Sequence, residues 1–262
     1  MKLNHIYQGD CLEVMKGFPD NYVDMILTDP PYKISIKGNK IVRTYKHYNC
    51  KRRSDIGLDF GDWDRYWKTD REYFLWTEKW FKECVRILKD GGWIYIFFDK
   101  QKTGLFDLWL AQKYEIKSRC IYVWVKTNPV PSFRKVNWNS GTEHIWVGSK
   151  GDSKLKNFLY QKYMSNYWIS PNASAWKKTN HPTEKQVKLL KHLIEVNTNE
   201  GDIVCDPFFG SGSTGVAAKE LKRNYIGIEL NKEYAKMAEE RIEETVYQEN
   251  IFSKKINQEK NG

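Results

Sequence analysis

The sequence predicts an open, doubly wound α/β fold: a Rossmann-like, seven-stranded, mostly parallel sheet with helices on both faces. Three observations predict it. Short runs rich in β-branched and aromatic residues alternate along the chain with longer stretches of helical period. Several of those runs ("VDMIL", "WIYIFF", "DIVC", "YIGI") are apolar almost throughout, as strands covered on both faces must be. The third is the order strand, glycine-rich loop, helix in "DIVCDPFFGSGSTGVAAKEL".

In chain order the strand-like runs fall at about 5–9, 23–28, 93–98, 120–126, 143–148, 202–206 and 225–229. Between them, residues 70–92 place Phe74, Trp80, Phe81, Val85 and Leu88 near helical spacing and stop at Gly91–Gly92. "TEKQVKLLKHLIEV" opens with Thr183 and Gln186 at capping-box spacing, and Asn231 is placed to cap "KEYAKMAEERIEE". Two stretches, 33–69 and about 150–180, fit neither period. A single domain, 1–262, accommodates all of this.

Composition narrows the function classes. No apolar run approaches the roughly 18 residues of a membrane helix, and "MKLNHIYQGD" has no secretory character. Cys11, Cys50, Cys84, Cys120 and Cys205 are scattered without a CxxC pair, so neither a disulfide framework nor a metal site is expected, and a reducing cytoplasm fits. The net charge of +10 favours a polyanionic partner. Much of it is concentrated at 33–54, where Lys33, Lys37, Lys40, Arg43, Lys46, Lys51, Arg52 and Arg53 occur without one acid, interleaved with Tyr45 and Tyr48.

The loop Gly210–Ser211–Gly212–Ser213–Thr214–Gly215 fits G-x-G-x-x-G, and Glu229 ends the next strand 19 residues beyond Gly210, placed to hold a ribose. A dinucleotide would bring its pyrophosphate to this helix N-terminus. Asp206 at the strand tip would repel that phosphate and attract an ammonium group. The pattern leans towards S-adenosylmethionine over NAD.

"LTDPPYKIS" (27–35) ends an apolar run with an acid, two prolines and a tyrosine. A nucleobase amine is a weak nucleophile because its lone pair is delocalised into the ring. Acceptors for its two hydrogens tilt that lone pair out of the ring plane, provided they are held rigidly. Asp29 and the carbonyl of Pro30 offer two acceptors, Pro31 stiffens them, and Tyr32 offers a flat face to an extruded base.

Asp29–Pro30–Pro31–Tyr32 and Asp206–Pro–Phe–Phe–Gly–Ser–Gly212 together resemble the catalytic and cofactor motifs of DNA amino-methyltransferases, which act on adenine N6 or cytosine N4. The order, catalytic motif first, resembles their β group. "GDCLEVM", "GGWIYIFF", "IYVWVKTNP", "GTEHIWVGSK", "HPTEKQVKLLKHLI" and "YIGIEL" agree in sequence order. The resemblance implies S-adenosylmethionine as cofactor. It would be held by Asp10 and Cys11 at the adenine, by Glu229 at the ribose, and by Phe208, Gly210, Ser211, Gly212 and Thr214 with Asp206 at the methionine end. Thr183 and Lys185 would approach the cofactor carboxylate, and Asp29 would border it. Asp10 also reads as an ordinary turn residue, and His181 and Lys185 as a solvated helix start.

The resemblance also gives the irregular stretches a use. Residues 33–60 form a basic DNA-contact loop, and 150–180 a short target-recognition region in which six lysines between 150 and 178 face one aspartate, with Phe158, Tyr160, Tyr163, Tyr167, Trp168 and Trp176. The expectation is an enzyme methylating adenine N6 in double-stranded DNA, monomeric or homodimeric, alone or with a cognate restriction endonuclease, and away from membranes. Cytosine N4 is the alternative within the family. A dinucleotide oxidoreductase and an inactive DNA-binding module are alternatives outside it.

Overall fold

The structure is a computed structural model and describes residues 1–32, 67–129, 138–158, 161, 164–172 and 184–245. It divides into two compact units, one formed by Met1–Pro30 with Glu78–Gly262, the other by Pro31–Thr77. The basic stretch 33–60 and all eight of its lysines and arginines lie outside the described residues, as do His181 and Thr183.

The first unit holds an eight-stranded sheet. Its strands are β1 (His5–Gln8), β2 (Val23–Thr28), β3 (Leu88–Phe98), β4 (Ile116–Lys126), β5 (Thr142–Lys150), β6 (Tyr167–Ser170), β7 (Ile203–Asp206) and β8 (Asn224–Glu229), in the order β1-β8-β7-β2-β3-β5-β4-β6. Five of the seven pairings are parallel; β5 runs against both its neighbours. Met25, Ile26, Leu27, Ile94 and Ile96 are fully buried, successive residues pointing to opposite faces, which explains why these strands read as continuous apolar runs.

The helices are α1 (Cys11–Lys16), α2 (Asp70–Ile87, crossing between the units), α3 (Thr103–Phe106, continued by a π-helical turn at Asp107–Ala111), α4 (Val187–Asn197), α5 (Ser213–Glu220) and α6 (Lys232–Glu243). Within the first unit, α2 buries Trp80, Phe81, Cys84 and Ile87 at helical spacing. Asn231 caps α6 as expected, accepting from the N–H groups of Glu233 and Tyr234.

Three sequence expectations change. Seven strands become eight: β6, inside the irregular stretch 150–180, pairs with β4 and forms one edge of the sheet. Its four residues are too few to show a period. The helix expected over 70–92 ends at Ile87, because Leu88 is drawn into the sheet opposite Val23. Gly91, at φ 81°, serves the irregularity between that pair and Met25–Trp93. The helix expected to open with Thr183 and Gln186 starts later: α4 begins at Val187, Gln186 makes no side-chain cap bond, and Thr183 lies outside the described residues. The Gln186 side chain accepts instead from the Trp168 indole and the Ser170 hydroxyl, both at 2.8 Å.

In the second unit, the buried Tyr73 donates its hydroxyl to the carbonyl of Pro31 at 2.9 Å and packs edge-on against Trp67.

Candidate active site

Strands β1, β8, β7 and β2 are neighbours and run parallel, so their carboxyl ends lie side by side. An acid stands at or just beyond each end: Asp10 two residues after β1, Glu229 closing β8, Asp206 closing β7, and Asp29 directly after β2. The junction of β7 with β2 is where the chain's progress across the sheet reverses, the usual location of a ligand crevice in such folds.

Each acid has local work. Asp10 caps α1, accepting from the Leu12 N–H at 2.8 Å, so the turn-residue reading holds at least in part. Cys11 opens that helix with a buried thiol whose pKa is pushed up to about 12 by burial and by the charge of Asp10. Glu229 uses both oxygens, accepting from the Gly210 N–H at 2.7 Å and the Asn231 N–H at 2.8 Å. Burial nonetheless holds its carboxyl above the usual range. Asp206 is only 4% exposed. Its Oδ1 accepts from the Thr28 hydroxyl at 2.7 Å and the Phe208 N–H at 3.0 Å, and its Oδ2 from the Thr214 hydroxyl at 2.7 Å. Burial outweighs these three bonds and raises the pKa to about 7.

Glycine is needed in the loop between β7 and α5 for two separate reasons. Gly210 and Gly212 have φ of 51° and 76°, a conformation costly to other residues. A Cβ on Gly215 would lie 2.6 Å from the Phe209 ring and 2.5 Å from Ile242, so its absence lets α5 close on its neighbours. Phe208 sets its ring edge-on to Trp80 at 5.3 Å. Arg241 of α6, not anticipated from the sequence, donates to the carbonyl and hydroxyl of Ser211 and the hydroxyl of Ser213. It also pairs with the buried Glu184 at 2.9 Å. It thereby ties the glycine loop to the segment before α4.

That segment brings Lys185 to Asp29. Its Nζ lies 2.8 Å from Asp29 Oδ2 and 3.2 Å from Glu143 Oε2 on β5, while Glu143 Oε1 lies 2.5 Å from Nζ of Lys126, the last residue of β4. Burial opposes the charge of Lys185, but the two carboxylates overcome it and hold its pKa above the usual lysine range. Glu143 shows the converse: burial raises its pKa, yet Lys185 and Lys126 leave it below the ordinary value. Lys185 was expected from the sequence, as a residue near a cofactor carboxylate. The structure pairs it with Asp29. Glu143 and Lys126 were not foreseen in any role, since nothing local marks residues joined only across the sheet.

Pro30 is buried at the end of the first unit, while Pro31 and Tyr32 open the second. Of the aromatics in 150–180, Phe158 and Tyr167 are exposed, whereas Trp168 is engaged with Gln186; Tyr160, Tyr163 and Trp176 lie outside the described residues. Among the described residues no group of three His, Cys, Asp or Glu could hold a metal ion, and no helix is long and apolar enough to cross a membrane.

A row of four acids at a nucleotide-type loop suits a ligand rich in hydrogen-bond donors and carrying positive charge. It does not suit a pyrophosphate. S-adenosylmethionine, with a ribose diol, an amine, an ammonium and a sulfonium, fits that donor set.

Comparison with known proteins agrees. The N6/N4 methyltransferase family, described as DNA methylase, matches residues 23–240. The type II methyltransferase M2.MboI of Moraxella bovis is 32% identical, over 96% of this chain and 92% of that protein. M.HinfI of Haemophilus influenzae, another type II methyltransferase, is 34% identical over 92% of this chain and 69% of its own. Among solved structures, a complex of M1.HpyAVI with SAM superposes at a TM-score of 0.68 with 27% identity, covering 91% of this chain and 98% of the other. The cytosine-N4-specific PvuII DNA methyltransferase reaches 0.70 at 20% identity, covering 98% and 91%, a likeness of fold.

Proposed function

This chain belongs to the N6/N4 family of DNA methylases, and from that premise we propose that it transfers a methyl group from S-adenosylmethionine to the exocyclic N6 of adenine in double-stranded DNA. The observation that carries the reading is the pair of acids at the β2–β7 junction: Asp29 leading into the two prolines, Asp206 leading into the glycine loop.

S-adenosylmethionine supplies an electrophilic methyl group on a sulfonium. Asp10 and Glu229 accept from its adenosine, with Cys11 alongside. Phe208, Gly210, Ser211, Gly212 and Thr214 form the loop for its methionine end together with Asp206, and Thr183 is proposed as a partner of its carboxylate. On the base side, Asp29 and the Pro30 carbonyl accept the two amino hydrogens, turning the nitrogen lone pair out of the ring plane. Transfer leaves the nitrogen with one proton too many, and Asp29 is the carboxylate placed to receive it. The buried prolyl peptide keeps these acceptors fixed, and Tyr32, three residues on, provides a stacking face for a base extruded from the duplex.

Adenine is favoured because an aspartate leads the tetrapeptide, where the cytosine-N4 enzymes resemble one another in often carrying serine. The loop 33–60, with Lys33, Lys37, Lys40, Arg43, Lys46, Lys51, Arg52 and Arg53, supplies phosphate contacts, and 150–180 contributes to reading the target. A cytoplasmic enzyme of a restriction-modification system, partnered by an endonuclease, suits relatives named as type II methyltransferases. Incubation with S-adenosylmethionine and duplex DNA, followed by nucleoside chromatography, tests the proposal: N6-methyladenine supports it and N4-methylcytosine contradicts its choice of base.

A further inference from the structure

Glu143 has no part in the reading above, yet it belongs to the charged group that surrounds the reacting carboxylate. We propose that Glu143 is a positioning residue for methyl transfer: it grips the Lys185 ammonium from the side opposite Asp29, so that this ammonium holds the Asp29 carboxylate in one orientation. The inference rests on Asp29 being the acceptor for the target amine.

Geometry is the first support. A lysine side chain has four rotatable carbons and a compact charge, so a single carboxylate leaves its ammonium free to swing. Here the ammonium is bracketed by Asp29 at 2.8 Å and Glu143 at 3.2 Å, and it lies 4.8 Å from the centre of the Phe97 ring. The Lys185 side chain is only 11% exposed, so water offers it little competition.

The second support is the mounting. Asp29 and Lys185 come from irregular segments, one after β2 and one before α4. Glu143, Lys126 and Phe97 stand on adjacent strands of the sheet, β5, β4 and β3. Groups on regular elements hold a position more closely than groups on loops, and here sheet residues fix the two loop residues. Charge is the third. Lys126, Glu143, Lys185 and Asp29 alternate in sign along the chain of contacts. Removing the charge of Glu143 would leave two largely covered cations, Lys126 and Lys185, with Asp29 as the remaining acid in this chain of contacts.

Single-turnover methyl transfer to duplex DNA tests this with wild type, Glu143→Gln, Lys185→Met and the double variant, alongside calorimetry with S-adenosylmethionine and thermal melting. Glu143→Gln should slow the chemical step at least tenfold while changing cofactor affinity less than threefold, and the double variant should be no slower than Lys185→Met. A rate within twofold of wild type, or losses that multiply in the double variant, would overturn the proposal. Should Glu143→Gln melt below the assay temperature, the same cycle run with Glu143→Asp decides by the same criterion. A second readout needs neither cofactor nor catalysis. The 15N-labelled Lys185 ammonium should exchange its protons with water faster in Glu143→Gln than in wild type, and unchanged exchange would overturn the grip. A wild-type protein that methylates no DNA would instead refute the reading of Asp29, and the inference would fall with it while the exchange result stood.

Discussion

The hydroxyl of Thr28, the last residue of β2, donates to Oδ1 of Asp206, the last residue of β7, at 2.7 Å. One buried bond thus joins the strand that delivers Asp29 to the strand that delivers the glycine loop. The same carboxylate holds Thr214 at the start of α5 and the Phe208 N–H within the loop. Asp206 is therefore the knot between the two halves of the site.

A pH dependence follows. Asp206 titrates near 3.8 in an unfolded chain and about 7 in the folded one. Between those values the folded state keeps a proton that the unfolded state has lost, so this group's contribution to stability is full at low pH and declines as pH rises through the window. Asp206→Asn, which cannot ionise, should flatten the fall in unfolding free energy over the same range. Urea titrations of both proteins at several pH values check this; identical slopes would contradict it.

Asp29→Ala should abolish methyl transfer and leave cofactor affinity far less affected, since the role proposed for the carboxylate is on the target amine. The paired Lys185 keeps Glu143 as a partner, so the fold should survive. Burst assays with calorimetry on the same preparation separate the two effects, and turnover near wild type would contradict the role.

Glu229→Ala removes one bond from the glycine loop, at the Gly210 N–H, and one from the Asn231 N–H before α6, as well as any contact with ribose. Hydrogen bonds to a charged acceptor are worth about 1.5–3 kcal/mol each. The substitution should therefore lower the melting temperature without cofactor and weaken S-adenosylmethionine binding. Glu229→Gln, which retains an acceptor oxygen, should be milder in both. An unchanged dissociation constant for the alanine variant would remove Glu229 from the cofactor site.

What the sequence revealed divides along local and distant interactions. The apolar runs of β2, β3, β7 and β8 and the Asn231 cap were legible, because each rests on period or on a turn. The end of α2 at Ile87 was not, because the pairing of Leu88 with Val23 overrides the Gly91–Gly92 stop. Strand β6 was not, because Tyr167–Ser170 is only four residues long, too short to show a period. The cluster of Lys126, Glu143, Lys185 and Asp29 draws on four separate segments, and Arg241 reaches Ser211 and Glu184 from a fifth. Such groupings are set by tertiary packing and have no sequence period.

Replacing Lys51, Arg52 and Arg53 together by Ala should weaken binding to all duplexes about equally, since phosphate contacts carry no base information. The slope of log affinity against log salt should become shallower by roughly 0.9 for each phosphate no longer neutralised, up to about 2.7 for three. Affinity for S-adenosylmethionine should not change. Titrations at several salt concentrations on varied sequences provide the test, and an unaltered slope would assign the DNA grip elsewhere, to 150–180 first.

Asp29 is proposed to direct a methyl group onto a base amine of DNA. The most direct measurement is mass spectrometry of nucleosides from duplex DNA incubated with S-adenosylmethionine labelled at the methyl group, using wild type and Asp29→Ala side by side. Labelled N6-methyladenine is expected with the wild type and none with the variant. Label in N4-methylcytosine would contradict the choice of base, and label appearing equally with both proteins, or with neither, would contradict the claim itself.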